Sequence, residues 1–247
     1  MKYEDIGNTN DYCKYALLRI LSAHGLNRIG VCSMFAKEGR RDPARVAGRP
    51  RLSQQFRGED PELFGLMQSI NGHSAFDRLR TIRSAEPIPG ACYFDDELPN
   101  DELNRFSFIR RARHALGQTD LVFFDPDKGM EQSLPRGRTG SNRYVYLDEL
   151  SLVFGSGKSL MVYQHYNRED RRSFISERVT RLQDAARDAS IWRFTAPKYM
   201  FLIALHPDSP ACLHMATKLA SVSWPADFIR GELAVEAIVS PAVRVGA

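Results

Sequence analysis

The chain contains no run of 18 apolar residues, no C-x-x-C pair and no charged-then-apolar leader at Met1-Lys2-Tyr3-Glu4-Asp5. The first absence leaves no candidate membrane span, and the third predicts a cytoplasmic protein with no membrane partner. Cys13, Cys32, Cys92 and Cys212 are scattered, and three of them fall on apolar faces, as small buried hydrophobes do in a reducing compartment. Neither that spacing nor any H-x-x-x-H segment offers a metal site. G-x-x-x-x-G-K-[ST] is missing, which excludes a P-loop nucleotidase, and no G-x-S-x-G elbow occurs. Gly155-Ser156-Gly157-Lys158-Ser159 is no substitute, because it joins a helix to a strand and a phosphate loop joins a strand to a helix. The expected first strand runs into Phe35-Ala36-Lys37-Glu38-Gly39, without the G-x-G-x-x-G turn that lets backbone approach a dinucleotide. No internal repeat is evident, and nothing specifies an oligomeric state.

What is present is ordinary globular material: 247 residues, 43% hydrophobic and 26% charged, enough for one large α/β domain over residues 1–247. Net charge is +4 and arginine outnumbers lysine, a mild lean toward nucleic acid (RNA or DNA) or nucleotide as partner. Six arginines, Arg40, Arg41, Arg45, Arg49, Arg51 and Arg57, fall in a stretch from about 36 to 58 broken by Gly and Pro. That pattern predicts a long basic loop. A second basic loop spans about 132–143, with Arg136, Arg138 and Arg143.

Between these loops strands and helices alternate. Gly7-Asn8-Thr9-Asn10-Asp11 carries cap-type residues ahead of a helix through Lys14, Leu17, Leu18 and Leu21. Residues 29–35 read as a buried strand, and Asp60-Pro61-Glu62 opens a helix whose apolar face is Leu63, Phe64, Met67 and Ile70. A short helix over 76–82 and a strand over 91–94 follow. The next helix is expected to bury Phe106, Ile109, Ala112 and Leu116, with Arg105, Arg110, Arg111, Arg113 and His114 on a solvated face. Leu121-Val122-Phe123-Phe124 is a continuous apolar run of the kind found in central parallel strands. A helix over 144–154, a strand over 160–163 and an amphipathic helix over 171–186 come next. Segments 190–194 and 199–205 form a hairpin, 210–224 a closing helix, and the rest a weakly patterned tail. The sum is a Rossmann-like α/β fold: a mostly parallel sheet, helices on both faces and a C-terminal antiparallel hairpin.

Two strand ends carry chemistry. The apolar run is followed by Asp125-Pro126-Asp127-Lys128-Gly129-Met130-Glu131, and the next strand by Gln164-His165. In an open α/β sheet such positions border the ligand crevice if the strands are neighbours. Carboxylates there orient an amine, hold a cation or bind a ribose; His165 is a candidate base or a structural hydrogen bonder.

The order of elements, the D-P-D turn after the central strand and the late hairpin resemble class I S-adenosylmethionine-dependent methyltransferases. The chain is most similar there to the large-subunit ribosomal RNA adenine-N6 methyltransferase J family. The G-N-x-x-D-x-x-K-type opening of that family is matched by Gly7-Asn8-Thr9-Asn10-Asp11-Tyr12-Cys13-Lys14, and its D-P-P-aromatic motif by Asp125-Pro126-Asp127-Lys128. The resemblance implies S-adenosylmethionine as cofactor, with Asn8, Asp11, Lys14 and Phe35 about it. It implies that Asp125 accepts a hydrogen bond from a target amine beside Pro126; Asp127 and His165, from the two strand ends, complete the candidate catalytic set. Asp127 and Lys128 depart from the family's second proline and stacking aromatic, and an acidic pair suits a metal or a cationic group better.

Three functions stay open: a methyltransferase or diverged relative acting on nucleic acid; a nuclease or phosphoesterase using Mg or Mn held by Asp125, Asp127 and Glu131; and a non-catalytic Rossmann-like binding protein.

Overall fold

A computed structural model of the chain describes residues 6–25, 28–36, 52–223 and 229–235. Arg40, Arg41, Arg45, Arg49 and Arg51 of the expected first basic loop lie outside the described residues.

The elements are α1 (Thr9–Ala23), β1 (Ile29–Cys32), β2 (Phe35–Ala36), α2 (Pro61–Ser69), α3 (Ala75–Ser84), β3 (Cys92–Phe94), β4 (Glu97–Leu98), α4 (Glu102–Ala115) and β5 (Leu121–Phe124). They continue with β6 (Gly129–Met130), β7 (Tyr144–Val145), α5 (Leu147–Phe154), β8 (Ser159–His165), α6 (Arg171–Ala185), β9 (Ser190–Thr195), β10 (Tyr199–Leu205), α7 (Ala211–Ser223) and β11 (Arg230–Val235). Among the described residues seven strands make the main sheet, in the order β11-β9-β10-β8-β5-β1-β3. Strands β3, β1, β5 and β8 run parallel, whereas β10 is antiparallel to both β8 and β9, and β11 is antiparallel to β9. The fold is the Rossmann-like α/β arrangement expected.

Strand burial explains the layers. Leu121 and Phe123 face one core, together with Leu17, Leu21, Leu63, Met67 and Leu213, so α1, α2 and α7 cover that face. Val122 and Phe124 face a second core with Phe108, Ile109, Leu150, Phe174 and Leu182, from α4, α5 and α6. A period of two along a strand sends alternate side chains to opposite faces, and both faces here are apolar. The chain leaves β1 for β3 on one side and returns to β5 on the other. The strand order therefore reverses at the β1–β5 seam, the place where such sheets bind ligands.

Several expectations are corrected. The basic stretch at 36–58 is not irregular throughout: Gln54–Gly58 is a 3-10 helix that buries Phe56. The helix expected from Tyr144 begins at Leu147, because Tyr144 and Val145 pair with Gly129 and Met130 as β7 and β6. Gln164 and His165 lie within β8, extended by their pairing with Met200 and Tyr199. Phe106 is exposed and Phe108 fills the core in its place, while Arg105 is buried. The tail is not featureless, since β11 adds a strand. Two cysteines rather than three are buried, Cys13 and Cys32; Cys92 and Cys212 are exposed. Among the described residues no helix is long and apolar enough to cross a membrane.

Candidate functional site at the carboxyl rim of the sheet

The opening motif folds into a compact cap. Gly7 takes φ +87°, a conformation open mainly to glycine. That turn lets Asn8 cap α1, its Oδ1 accepting the Asp11 N–H at 3.0 Å. The Gly7 N–H in turn donates to Asp11 Oδ2 at 2.9 Å. One helical turn on, Lys14 lies on the same side as Asp11, as i,i+3 spacing requires, and its Nζ is 2.9 Å from Asp11 Oδ1. The same ammonium reaches across to the end of β5, 2.9 Å from the Asp125 carboxylate, and stands 4.4 Å from the centroid of the Tyr163 ring. Asp11, Lys14 and Asp125 are all buried. Asp125 also donates its backbone N–H to Cys32 O at 3.0 Å, which fixes it to the end of β1. The carboxylate thus stands on the β1–β5 seam.

Charge and burial compete here. Burial works against the Lys14 ammonium, but Asp11 and Asp125 outweigh it and hold its pKa well above the usual lysine range. Burial pushes the Asp125 carboxyl above the usual carboxylate range, against the pull of Lys14. His165 shares a 3.1 Å hydrogen bond with the Tyr163 hydroxyl. Burial first, then the charge of Lys14, push its pKa down to about 4. Its imidazole is therefore neutral at physiological pH.

Asp127 does not join Asp125. Its Oδ2 accepts from Arg143 Nε at 2.5 Å, and the Lys128 N–H donates to Arg143 O at 2.8 Å. The turn is braced from below by Gln164, fully buried, whose Oε1 accepts the Met130 N–H at 2.9 Å and whose Nε2 donates to Lys128 O at 3.0 Å. Gly129, at φ +116°, fits because a Cβ there would lie 2.4 Å from the Gln164 amide. Glu131 caps α5 instead, accepting the Leu147 N–H at 3.2 Å. A divalent cation needs several converging oxygen or nitrogen donors. Among the described residues no group of three His, Cys, Asp or Glu could hold one. Asp125 and Asp127 answer to separate cations, so the donor set does not fit the Mg or Mn reading. Arg136 and Arg143 of the second basic loop are likewise taken up by Asp148 and Asp127, which leaves Arg138 as the exposed guanidinium there.

Pro126 is buried beside Asp125, and Phe35 is buried in the core on the α1 side. Sequence reasoning missed a second polar cluster on the same rim. At the end of β3, Asp95 accepts from Arg83 at 2.7 and 2.8 Å and is hydrogen-bonded by Ser33 at the end of β1. Arg83 also donates to the Tyr15 hydroxyl at 2.8 Å and lies 3.8 Å from the centroid of the Tyr93 ring. The Tyr93 hydroxyl is buried without a hydrogen-bond partner among the described residues. The signal available was the acidic run Asp95-Asp96-Glu97 directly after a short strand. On the other flank a cavity of about 640 Å³ opens between Asn8, Cys13, Phe56, Lys198 and Tyr199.

The ends of four neighbouring parallel strands therefore present Asp95, Ser33, Asp125 and His165 along one rim, with α1 laid across it. No family model matches the chain, and no curated protein or solved structure matches it either.

Proposed function

We propose that the chain is an S-adenosylmethionine-dependent methyltransferase, or a diverged relative, acting on nucleic acid. One observation carries the reading: Asp125 stands at the seam where the strand order reverses, held there by the Cys32 carbonyl and by Lys14 from the capping motif. The two short motifs that resemble the methyltransferase family thus meet in space, although 111 residues separate Lys14 from Asp125. The reversed strand between β8 and β9 also suits that class.

The donor chemistry of the rim fits the cofactor. Asp95, at the end of the strand beside β1, occupies the position from which a Rossmann-like sheet binds a ribose. The bound cofactor would supply a methyl group on a cationic sulfur. Asp125 would orient an acceptor amine by accepting its hydrogen bond, sharing its carboxylate with Lys14. His165, neutral at physiological pH, would hold the Tyr163 hydroxyl by its hydrogen bond rather than take the proton.

A second reading, a binding protein without catalysis, is favoured by one fact: Asp125 is only 3% exposed and already engaged by Lys14. Calorimetry with S-adenosylmethionine separates the possibilities. Saturable heat, lost in Asp95→Ala, together with transfer of labelled methyl to RNA or DNA that Asp125→Asn abolishes, is the expected result. Heat without transfer selects the binding protein, and absence of heat at millimolar cofactor overturns both cofactor-dependent versions.

A further inference from the structure

Strand β11 forms the edge of the main sheet, paired with β9. Its register with β9 pairs Arg230 with Thr195 and Glu232 with Arg193. The period of two along a strand places Arg193 and Thr195 on one face of β9, and Arg230, Glu232 and Ala234 on the same face of β11. That face looks toward the first turns of α6, where Arg171 and Arg172 sit. The result is a groove of about 610 Å³ walled by α6 on one side and the β9–β11 edge on the other.

The groove holds four guanidinium groups against one carboxylate. The carboxylate is already neutralised, since Glu232 accepts from Arg193 at 2.7 and 2.8 Å. Arg171 is anchored, donating to Ala196 O at 2.7 Å and lying 4.4 Å from the Tyr166 ring centroid. Arg172 and Arg230 are exposed and make no ion pair among the described residues. Ser176, Thr180 and Thr195 are among its lining residues. Guanidinium forks with interspersed hydroxyls are the donor set that grips phosphate oxygens.

The groove also leads somewhere. Strand β9 runs parallel to β8, so Thr195 ends on the same rim as His165. The turn after Thr195, through Pro197 and Lys198, reaches Tyr199, which lines the cavity beside Asn8. One hairpin turn separates groove from cavity.

We propose that this groove binds the phosphate backbone of a nucleic-acid strand, held chiefly by Arg172 and Arg230 and directed past the hairpin turn toward the rim. A concave track of guanidinium and hydroxyl groups, with no exposed aromatic among its lining residues, suits a linear polyanion better than a lipid surface. The proposal extends the nucleic-acid half of the proposed function and is independent of the cofactor.

Fluorescence anisotropy with labelled single-stranded RNA and DNA, measured across a salt series, tests it. Arg172→Glu combined with Arg230→Glu is expected to weaken binding at least tenfold and to flatten the log–log salt slope by about 1.4, two phosphates at roughly 0.7 each. Arg172→Gln with Arg230→Gln gives a smaller loss in the same direction, and Arg110→Glu on α4 leaves binding unchanged. An unchanged melting temperature shows that the variants are folded. Wild-type affinity in the double Glu variant, no binding of either oligonucleotide by the wild type, or capture of anionic lipid vesicles in their place overturns the proposal. Cofactor titration of the same variants keeps the two readings apart: lost oligonucleotide binding with cofactor heat intact is the groove alone, and the reverse leaves the groove standing.

Discussion

Lys14 and Asp125 meet 2.9 Å apart at a buried point where the first helix crosses the end of the central strand. Both groups are buried, so the ammonium depends on Asp125 and Asp11, and the Asp125 carboxylate depends on the ammonium. Removing one member of such a set leaves uncompensated buried charge, which costs about 3–5 kcal/mol. Lys14→Met is therefore expected to destabilise the protein by that amount in urea unfolding. Adding Asp125→Asn to Lys14→Met should recover part of the loss, and strict additivity of the two changes would refute the coupling.

Arg105 and Glu149 form a second buried pair, with Nη2 of the arginine 3.0 Å from Glu149 Oε2 and Nη1 3.1 Å from the Ser141 carbonyl. Glu149 also accepts the Tyr146 N–H at 2.9 Å, at the start of α5. Arg105→Ala is predicted to lose about 3 kcal/mol, because buried Glu149 keeps only the more distant Arg136 guanidinium, 3.9 Å away. Arg110→Ala, on the exposed side of the same helix, should change stability by less than about 0.5 kcal/mol. Equal effects would show that the buried pair is not what holds α4 to α5.

His165 gives a pH dependence of definite sign. Its folded pKa of about 4 lies below the ordinary value of 6.5. Above that ordinary value both states are neutral and the group contributes nothing. As the pH falls from 6.5 toward 4 the unfolded chain binds a proton that the folded one refuses, and stability is lost up to about 3 kcal/mol. Unfolding curves at pH 7 and 4.5 should therefore separate less for His165→Gln than for the wild type. Parallel shifts in both proteins would count against a buried neutral imidazole.

Gly129 and Gln164 interlock. An alanine at 129 meets the Gln164 amide and must also hold φ +116°. Gly129→Ala is expected to cost at least about 2 kcal/mol. With Gln164→Ala added, the clash disappears while the backbone strain stays, so the double variant should be more stable than the sum of the singles implies.

What could be read beforehand follows from the range of the interactions. Leu121–Phe124 declares itself because its residues are apolar on both sides, and the helix cap at Asn8 is a matter of three neighbouring residues. Both motifs of the rim were legible for that reason. Arg105 looked solvated because its partner lies 44 residues away, and nothing near it in the chain marks it as buried. Asp127 looked like a companion of Asp125 until Arg143, 16 residues on, claimed it. The β11 strand, Arg-Gly-Glu-Leu-Ala-Val, lies at an edge with much of its surface in solvent, so it lacks the apolar run that marks a central strand. Asp95 was visible only as part of an acidic run, without the Arg83 and Ser33 that give it a place.

The Lys14 contact also bears on the order in which the molecule matures on the ribosome. Helix α1 is synthesised with its ammonium and Asp11 already adjacent, but Asp125 emerges only 111 residues later. Until β5 has been translated and docked, the first helix has no reason to bury that charge. The Lys14–Asp125 part of the rim therefore cannot form before β5 is made, and any ligand that needs both residues together can select only chains in which the sheet has closed around β1.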